Sequence, residues 1–196
     1  MFTYKGTDTF ASMTPGKPAR AEKLYGTDTA IARAVCGILS VVTAAVLAHP
    51  RYPHNNIAWS DGWLALTTLC IIIHAALFIR KRAPMEPVFK ALLPFIGVCA
   101  ITIALTIRNN FDFLFGIWMI GYGLMNIAHA DDAPKGINLV GLYYIACGAV
   151  TMLVFEVPFS NPWPMGFVFF GGEMLAAAAA LVGGAVRARR AGTSAG

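Results

Sequence analysis

Apolar residues in this chain come in six long runs, and charged residues fall almost entirely between them. The runs cover residues 31–48, 62–79, 91–107, 113–129, 136–157 and 165–186. Each is long enough to cross a bilayer core, which takes about 17–25 residues of helix. Arg33, at the start of the first run, is placed to snorkel to the interface, and Glu156 stands at the far end of the fifth. Inside hydrocarbon every backbone N–H and C=O needs an internal partner, and only helices or closed barrels supply one. Barrel strands alternate polar and apolar residues. Leu69-Cys70-Ile71-Ile72-Ile73 and the alanines at 176–180 do not. The pattern predicts an all-α membrane protein with six transmembrane helices, arranged as three antiparallel hairpins over residues 30–80, 90–130 and 136–187.

Composition supports this reading. Of 196 residues, 57% are hydrophobic and 13% charged, with a mean hydropathy of +0.63. Soluble domains carry about 25% charged residues, so a water-soluble globule and a disordered chain are both excluded. The net charge of +5 does not point to nucleic acid, because the basic residues sit in short clusters at the ends of the runs. Arg80-Lys81-Arg82 follows the second run, and Arg187, Arg189 and Arg190 follow the sixth. Of the 15 Lys and Arg, only Arg51 and Arg108 fall in the links of the opposite side. The positive-inside rule then places both termini in the cytoplasm, as an even number of spans requires. The expected organisation is a polar N-terminal tail at 1–29, a six-helix domain at 30–187 and a short cytoplasmic tail at 188–196. No apolar core of signal-peptide type precedes the first run. Phe2, Tyr4, Phe10 and Tyr25 give the tail aromatic contacts for a partner, although a flexible surface tail is the plainer expectation.

A weak internal repeat runs through the hairpins. Trp63, Trp118 and Glu173 are spaced by 55 residues, His74 and His129 share that offset, and Leu64, Met119 and Met174 keep step. Three stretches carry a family resemblance: Gly37-Ile38-Leu39 to His49-Pro50 with Trp63 to His74-Ala75; Phe115-Gly116-Ile117-Trp118 to Ile127-Ala128-His129-Ala130; and Gly141-Leu142 with Gly148, then Gly171-Gly172-Glu173 and an Arg-rich end. In these the chain resembles the HdeD acid-resistance membrane proteins, small bacterial six-span proteins built from three helical hairpins. The resemblance implies an inner-membrane protein associated with acid stress and without enzymatic chemistry. The long first outer loop and the long N-terminal tail depart from that pattern.

Glu173 is the residue most suggestive of chemistry. It lies eight residues past Met165, about 12 Å down a helix at 1.5 Å per residue. An ionisable group so far from the interface is costly and marks a functional candidate. It reads either as a proton-handling or pore-lining carboxyl, or as a neutral acid hydrogen-bonded to a neighbouring helix. Imidazoles change charge in mildly acidic water, so His49 and His54 in the first outer loop are candidate proton sensors, or simply solvated loop residues. His74 and His129 sit towards the cytoplasmic ends of spans two and four, where they can bond helix carbonyls. Cys36, Cys70, Cys99 and Cys147 lie within spans and read as small apolar residues with free thiols. Asp131 and Asp132 read as a solvated or capping pair.

No ligand spacing for a metal and no dinucleotide, phosphate or haem motif appears, so neither metal nor cofactor is expected. Gly116, Gly121, Gly123, Gly171, Gly172, Gly183 and Gly184 are candidate helix-packing residues, since small side chains let helices approach in lipid. Tyr52, Trp59, Trp63 and Trp163 read as interfacial anchors. The sequence thus favours a non-enzymatic inner-membrane protein that forms homo-oligomers or joins a larger complex. The other readings are a structural accessory subunit of a respiratory or photosynthetic complex, and a transporter of protons or a small solute using Glu173.

Overall fold

The computed structural model describes residues 26–83, 85–130, 133–134, 136–154 and 157–193, with the side chains of 187–193 excepted. The N-terminal tail to residue 25, Glu156, Asp131, Asp132 and the extreme C-terminus lie outside the described residues. Among the described residues six α-helices follow one another: α1 (Thr27–Leu47), α2 (Asn56–Arg80), α3 (Glu86–Ile107), α4 (Leu114–Ala128), α5 (Gly136–Leu153) and α6 (Trp163–Thr193). A 3-10 turn, Phe111–Phe113, leads into α4. Each helix, α4 taken with that turn, is long and apolar enough to cross a membrane, and no strand occurs among the described residues. The six expected spans are all present.

Local chemistry sets several ends. Asn55 caps α2 by accepting a hydrogen bond from Ala58 N, satisfying one of the donors that a helix start leaves open. Pro87 sits in the first turn of α3, where its missing N–H costs nothing. Two reversals are made by residues with positive φ, Arg82 at 48° and Asn109 at 56°.

The three expected hairpins are present, with α1 against α2, α3 against α4 and α5 against α6, but their seams are not the most extensive ones. The most extensive contacts join α1 to α6 and α4 to α5, across the expected hairpin boundaries. The reason is side-chain size at the crossings. On α4 and α5, Gly116 faces Gly148 and Gly123 faces Gly141. A Cβ on Gly148 would come within 2.7 Å of Gly116 O, and one on Gly123 within 2.6 Å of Gly141 O. Hydrogen at these positions lets the two backbones touch. Between α1 and α6, Ser40 Oγ lies 2.7 Å from Gly37 O and 2.9 Å from Gly166 O, a shared hydroxyl hydrogen that ties the helices together.

Helices α1, α4, α5 and α6 therefore form the core, and α2 and α3 lie against its flank. On α2 only Trp59 and Trp63 are buried, and on α3 only Pro87. Along its axis the core has three layers. Aromatic rings fill one end, where Phe159 packs on Phe111, Phe115, Trp118 and Trp59. Small residues, Ala30, Ala177 and Ala180, fill the other. A polar network lies between them.

Candidate functional site

The network is assembled from one or two side chains of each core helix. Arg33 comes from α1, Tyr122 and Asn126 from α4, Tyr144 from α5 and Glu173 from α6. Arg33 Nη1 lies 3.1 Å from Glu173 Oε1 and 3.4 Å from Oε2. The same nitrogen donates to Tyr122 OH at 2.8 Å, and Nη2 donates to Asn126 Oδ1 at 3.3 Å. Tyr122 OH, having accepted from the guanidinium, donates to Glu173 Oε1 at 2.7 Å. Tyr144 OH lies 3.2 Å from the same oxygen and 3.2 Å from Phe169 O. Asn126 is held by its own Nδ2, which donates to Tyr122 O at 2.8 Å. Glu173 is 2% exposed and Arg33 8%.

One expectation is corrected here. Arg33 does not snorkel. Helix α1 begins at Thr27, four residues before the apolar run, so Arg33 lies nearly two turns inside it and its guanidinium turns to the core. Glu173, expected either to handle protons or to rest as a neutral acid on a neighbouring helix, faces a cation, a partner the sequence reading did not name. Arginine suits this place because its planar fork reaches several acceptors at once. A buried ion pair offsets its desolvation only when further hydrogen bonds complete it, and here the two tyrosines and Asn126 do so. The usable signal in the sequence was the presence of one Arg and one Glu inside otherwise uncharged runs, since intramembrane charges pair. Nothing along the chain pointed to Tyr122, Asn126 or Tyr144.

The other candidates are dispersed. His49 Nδ1 accepts from Arg51 N at 3.2 Å at the rim of a cleft of about 470 Å³ that Val42, Val46 and Tyr52 help to line. His54 sets its ring edge-on to Trp59, with centroids 5.9 Å apart. Neither histidine joins the Glu173 network. His74 and His129 do bond carbonyls, each through Nδ1 to the residue four back: Cys70 O at 2.8 Å and Met125 O at 2.6 Å. His129 lies at the end of its helix, but His74 lies six residues inside α2, away from the terminal carbonyls. The repeat thus gives these two histidines one local geometry. Trp63, Trp118 and Glu173, by contrast, take unrelated roles: Trp63 is buried against Phe115, while Trp118 Nε1 donates to Thr102 Oγ1 at 2.9 Å.

Trp59 and Trp63 are core residues at 6% and 2% exposure and not interfacial anchors, because Trp59 packs on Phe159 and Trp63 on Phe115. Trp163 stays at the surface, stacked on Phe167.

The candidate packing glycines divide by neighbour. Gly116 and Gly123 meet α5 directly. Gly121 makes room for Val98, Gly171 and Gly172 for Tyr143 and Tyr144, and Gly183 for Pro134. Gly184 differs: among the described residues, a side chain there would meet Gly26 at 4.0 Å. Gly141 and Gly148, the partners of Gly123 and Gly116, complete the α4–α5 crossing.

All four cysteines are free thiols, and no group of three or more metal-ligating side chains occurs among the described residues. What the arrangement can do chemically is hold a charge pair, and the hydrogen-bonded groups around it, away from water at the point where four helices meet. No protein-family model, curated protein or solved structure matches the chain, so the meaning of this site is argued from its own geometry.

Proposed function

We propose that this is a non-enzymatic multipass protein of the bacterial inner membrane, with both termini cytoplasmic. In this reading the Arg33–Glu173 pair is a charge latch joining the core helices, and the protein serves in acid or envelope stress. One observation carries the proposal: the four core helices meet on a single buried carboxyl whose counter-charge comes from the opposite end of the chain. Adding a proton to Glu173 would leave the guanidinium without its counter-charge in a medium where an unpaired charge is costly. The four helices would then have to repack or admit water, and that rearrangement is the signal. The likeness to acid-resistance proteins supplies the physiological setting, and the cationic clusters support the orientation.

The test replaces Glu173 with Gln, which keeps the shape and hydrogen-bonding capacity and removes the charge. Cells making the Glu173→Gln protein at wild-type level are expected to lose survival after acid challenge. Unchanged survival would remove the acid-stress role. Proton flux into liposomes that vanishes in the same variant would show the transporter reading to be the better one. Native mass of the gently solubilised protein separates a lone bundle, a homo-oligomer and a subunit of a larger complex. Tags at both ends should react only after cells are opened.

A further inference from the structure

At the end of the bundle away from the cationic clusters, the loop after α1 folds back over the lipid-facing side of that helix. Ala44 and Leu47 turn to the core, while Val42, Ala45 and Val46 are exposed on the other side. Tyr52 holds the loop in place: its N–H donates to His49 O at 2.9 Å and its hydroxyl to Ala58 O at 2.8 Å. Pro50 and Pro53 stiffen it, because their rings fix φ. Between the exposed α1 wall and the side chains of His49, Arg51 and Tyr52 lies the cleft of about 470 Å³. Among the described residues no acidic side chain lines it. Its depth follows from α6, where Gly166 sits against Ala44. Three residues earlier on that antiparallel helix, Trp163 stands level with Leu47. An exposed Trp at a helix end marks the headgroup level, so the α1 wall lies on the hydrocarbon side of it and Arg51 and His49 on the headgroup side.

We infer that this cleft seats one anionic phospholipid, with an acyl chain along the α1 wall and the phosphate on Arg51. Charge complementarity carries the assignment. A guanidinium matches phosphate oxygens with two parallel donors, and no carboxylate among the described residues pairs with Arg51. His49 adds a second donor. Its Nδ1 accepts from Arg51 N at 3.2 Å, so the ring's proton sits on Nε2. The apolar wall orients a chain without selecting it, because acyl chains and side chains are equally apolar. Selection falls to the headgroup. A zwitterionic lipid brings its own cation to the same place and loses much of the attraction. Arg108, the other basic residue of this side, follows α3 and does not line the cleft. The seat is separate from the Glu173 network and stands whether or not that network serves in acid stress.

The test adds dioleoyl phosphatidylglycerol or dioleoyl phosphatidylethanolamine to the full-length protein in mild detergent and counts retained lipids by native mass spectrometry. One phosphatidylglycerol should be retained, with a preference over phosphatidylethanolamine of about fivefold, the factor one cation near an anionic headgroup supplies. Arg51→Gln should abolish the preference, and Arg108→Gln should leave it unchanged. Ala45→Trp, which fills the apolar wall and keeps the charge, should lower phosphatidylglycerol retention. Phosphatidylglycerol with a diazirine on its acyl chain should label, on illumination, the peptide covering residues 42–53. Equal retention of the two lipids, a preference that survives Arg51→Gln, or labelling confined to other helices would overturn the assignment. Displacement of the lipid by inorganic phosphate at equal concentration would overturn it too, by showing a site for free phosphate.

Discussion

Helices α1 and α3 are equally apolar and similar in length, yet nearly half of α1 is buried and α3 buries only a proline at its first turn. In water such a contrast would be unstable, because the exposed leucines, isoleucines and phenylalanines of α3 would drive association. In lipid it costs nothing, since acyl chains are as apolar as the side chains they replace. The difference between the two helices therefore lies in their exceptions. Helix α1 carries Arg33, Ser40 and Gly37, each meeting α6 or α4. Helix α3 is tied to the core at Thr102, whose hydroxyl oxygen accepts from Trp118 Nε1. Polar and small residues decide which helices form the core, and bulk hydrophobicity only decides that all six enter the membrane.

The sharpest way to break this contrast is at the charge pair. Arg33→Leu leaves Glu173 buried without its counter-charge and is expected to destabilise the bundle by about 3–5 kcal/mol, while Arg33→Leu with Glu173→Leu should recover most of the loss. Unfolding in mixed micelles titrated with SDS measures both. A double variant no more stable than the single would mean that the pair's packing, and not its charge, holds the core.

Removing one hydroxyl from the network tests its satisfaction. Tyr122→Phe takes a donor from Glu173 and an acceptor from Arg33, and about 1.5–3 kcal/mol is expected from hydrogen bonds to charged groups. The same substitution at Tyr52, whose hydroxyl donates to Ala58 O, involves a neutral partner and should cost about 0.5–1.5 kcal/mol.

Glycine positions sharpen the comparison further. Gly123→Ala pushes a methyl group into the Gly141 carbonyl and should cost about 1–3 kcal/mol by overpacking. Gly97→Ala on α3, where nothing lies within 4 Å, should cost nothing in the same assay. Equal losses at the two sites would contradict the division into core and flank. A small loss is expected where Thr102 accepts from Trp118: Thr102→Val removes that interhelical hydrogen bond and leaves the indole ring in place, at about 0.6 kcal/mol in a membrane.

Much of this protein was already determined by its sequence. The six spans, their order and their ends to within about two helical turns follow from one physical requirement, that a chain in hydrocarbon satisfies its own backbone. The small residues of α4 marked it correctly as a close-packing helix. Tertiary structure decided what each helix faces. Pairing of α1 with α6 and of α4 with α5, burial of Trp59 and Trp63, and the inward turn of Arg33 had no signal in hydropathy. Lipid and protein interior attract an apolar side chain alike, so the pattern of apolar residues carries no record of which neighbour replaces the lipid. That record lies in a few complementary contacts between residues far apart in the chain. Arg33 and Glu173, 140 residues apart, become one site only when α1 and α6 lie side by side.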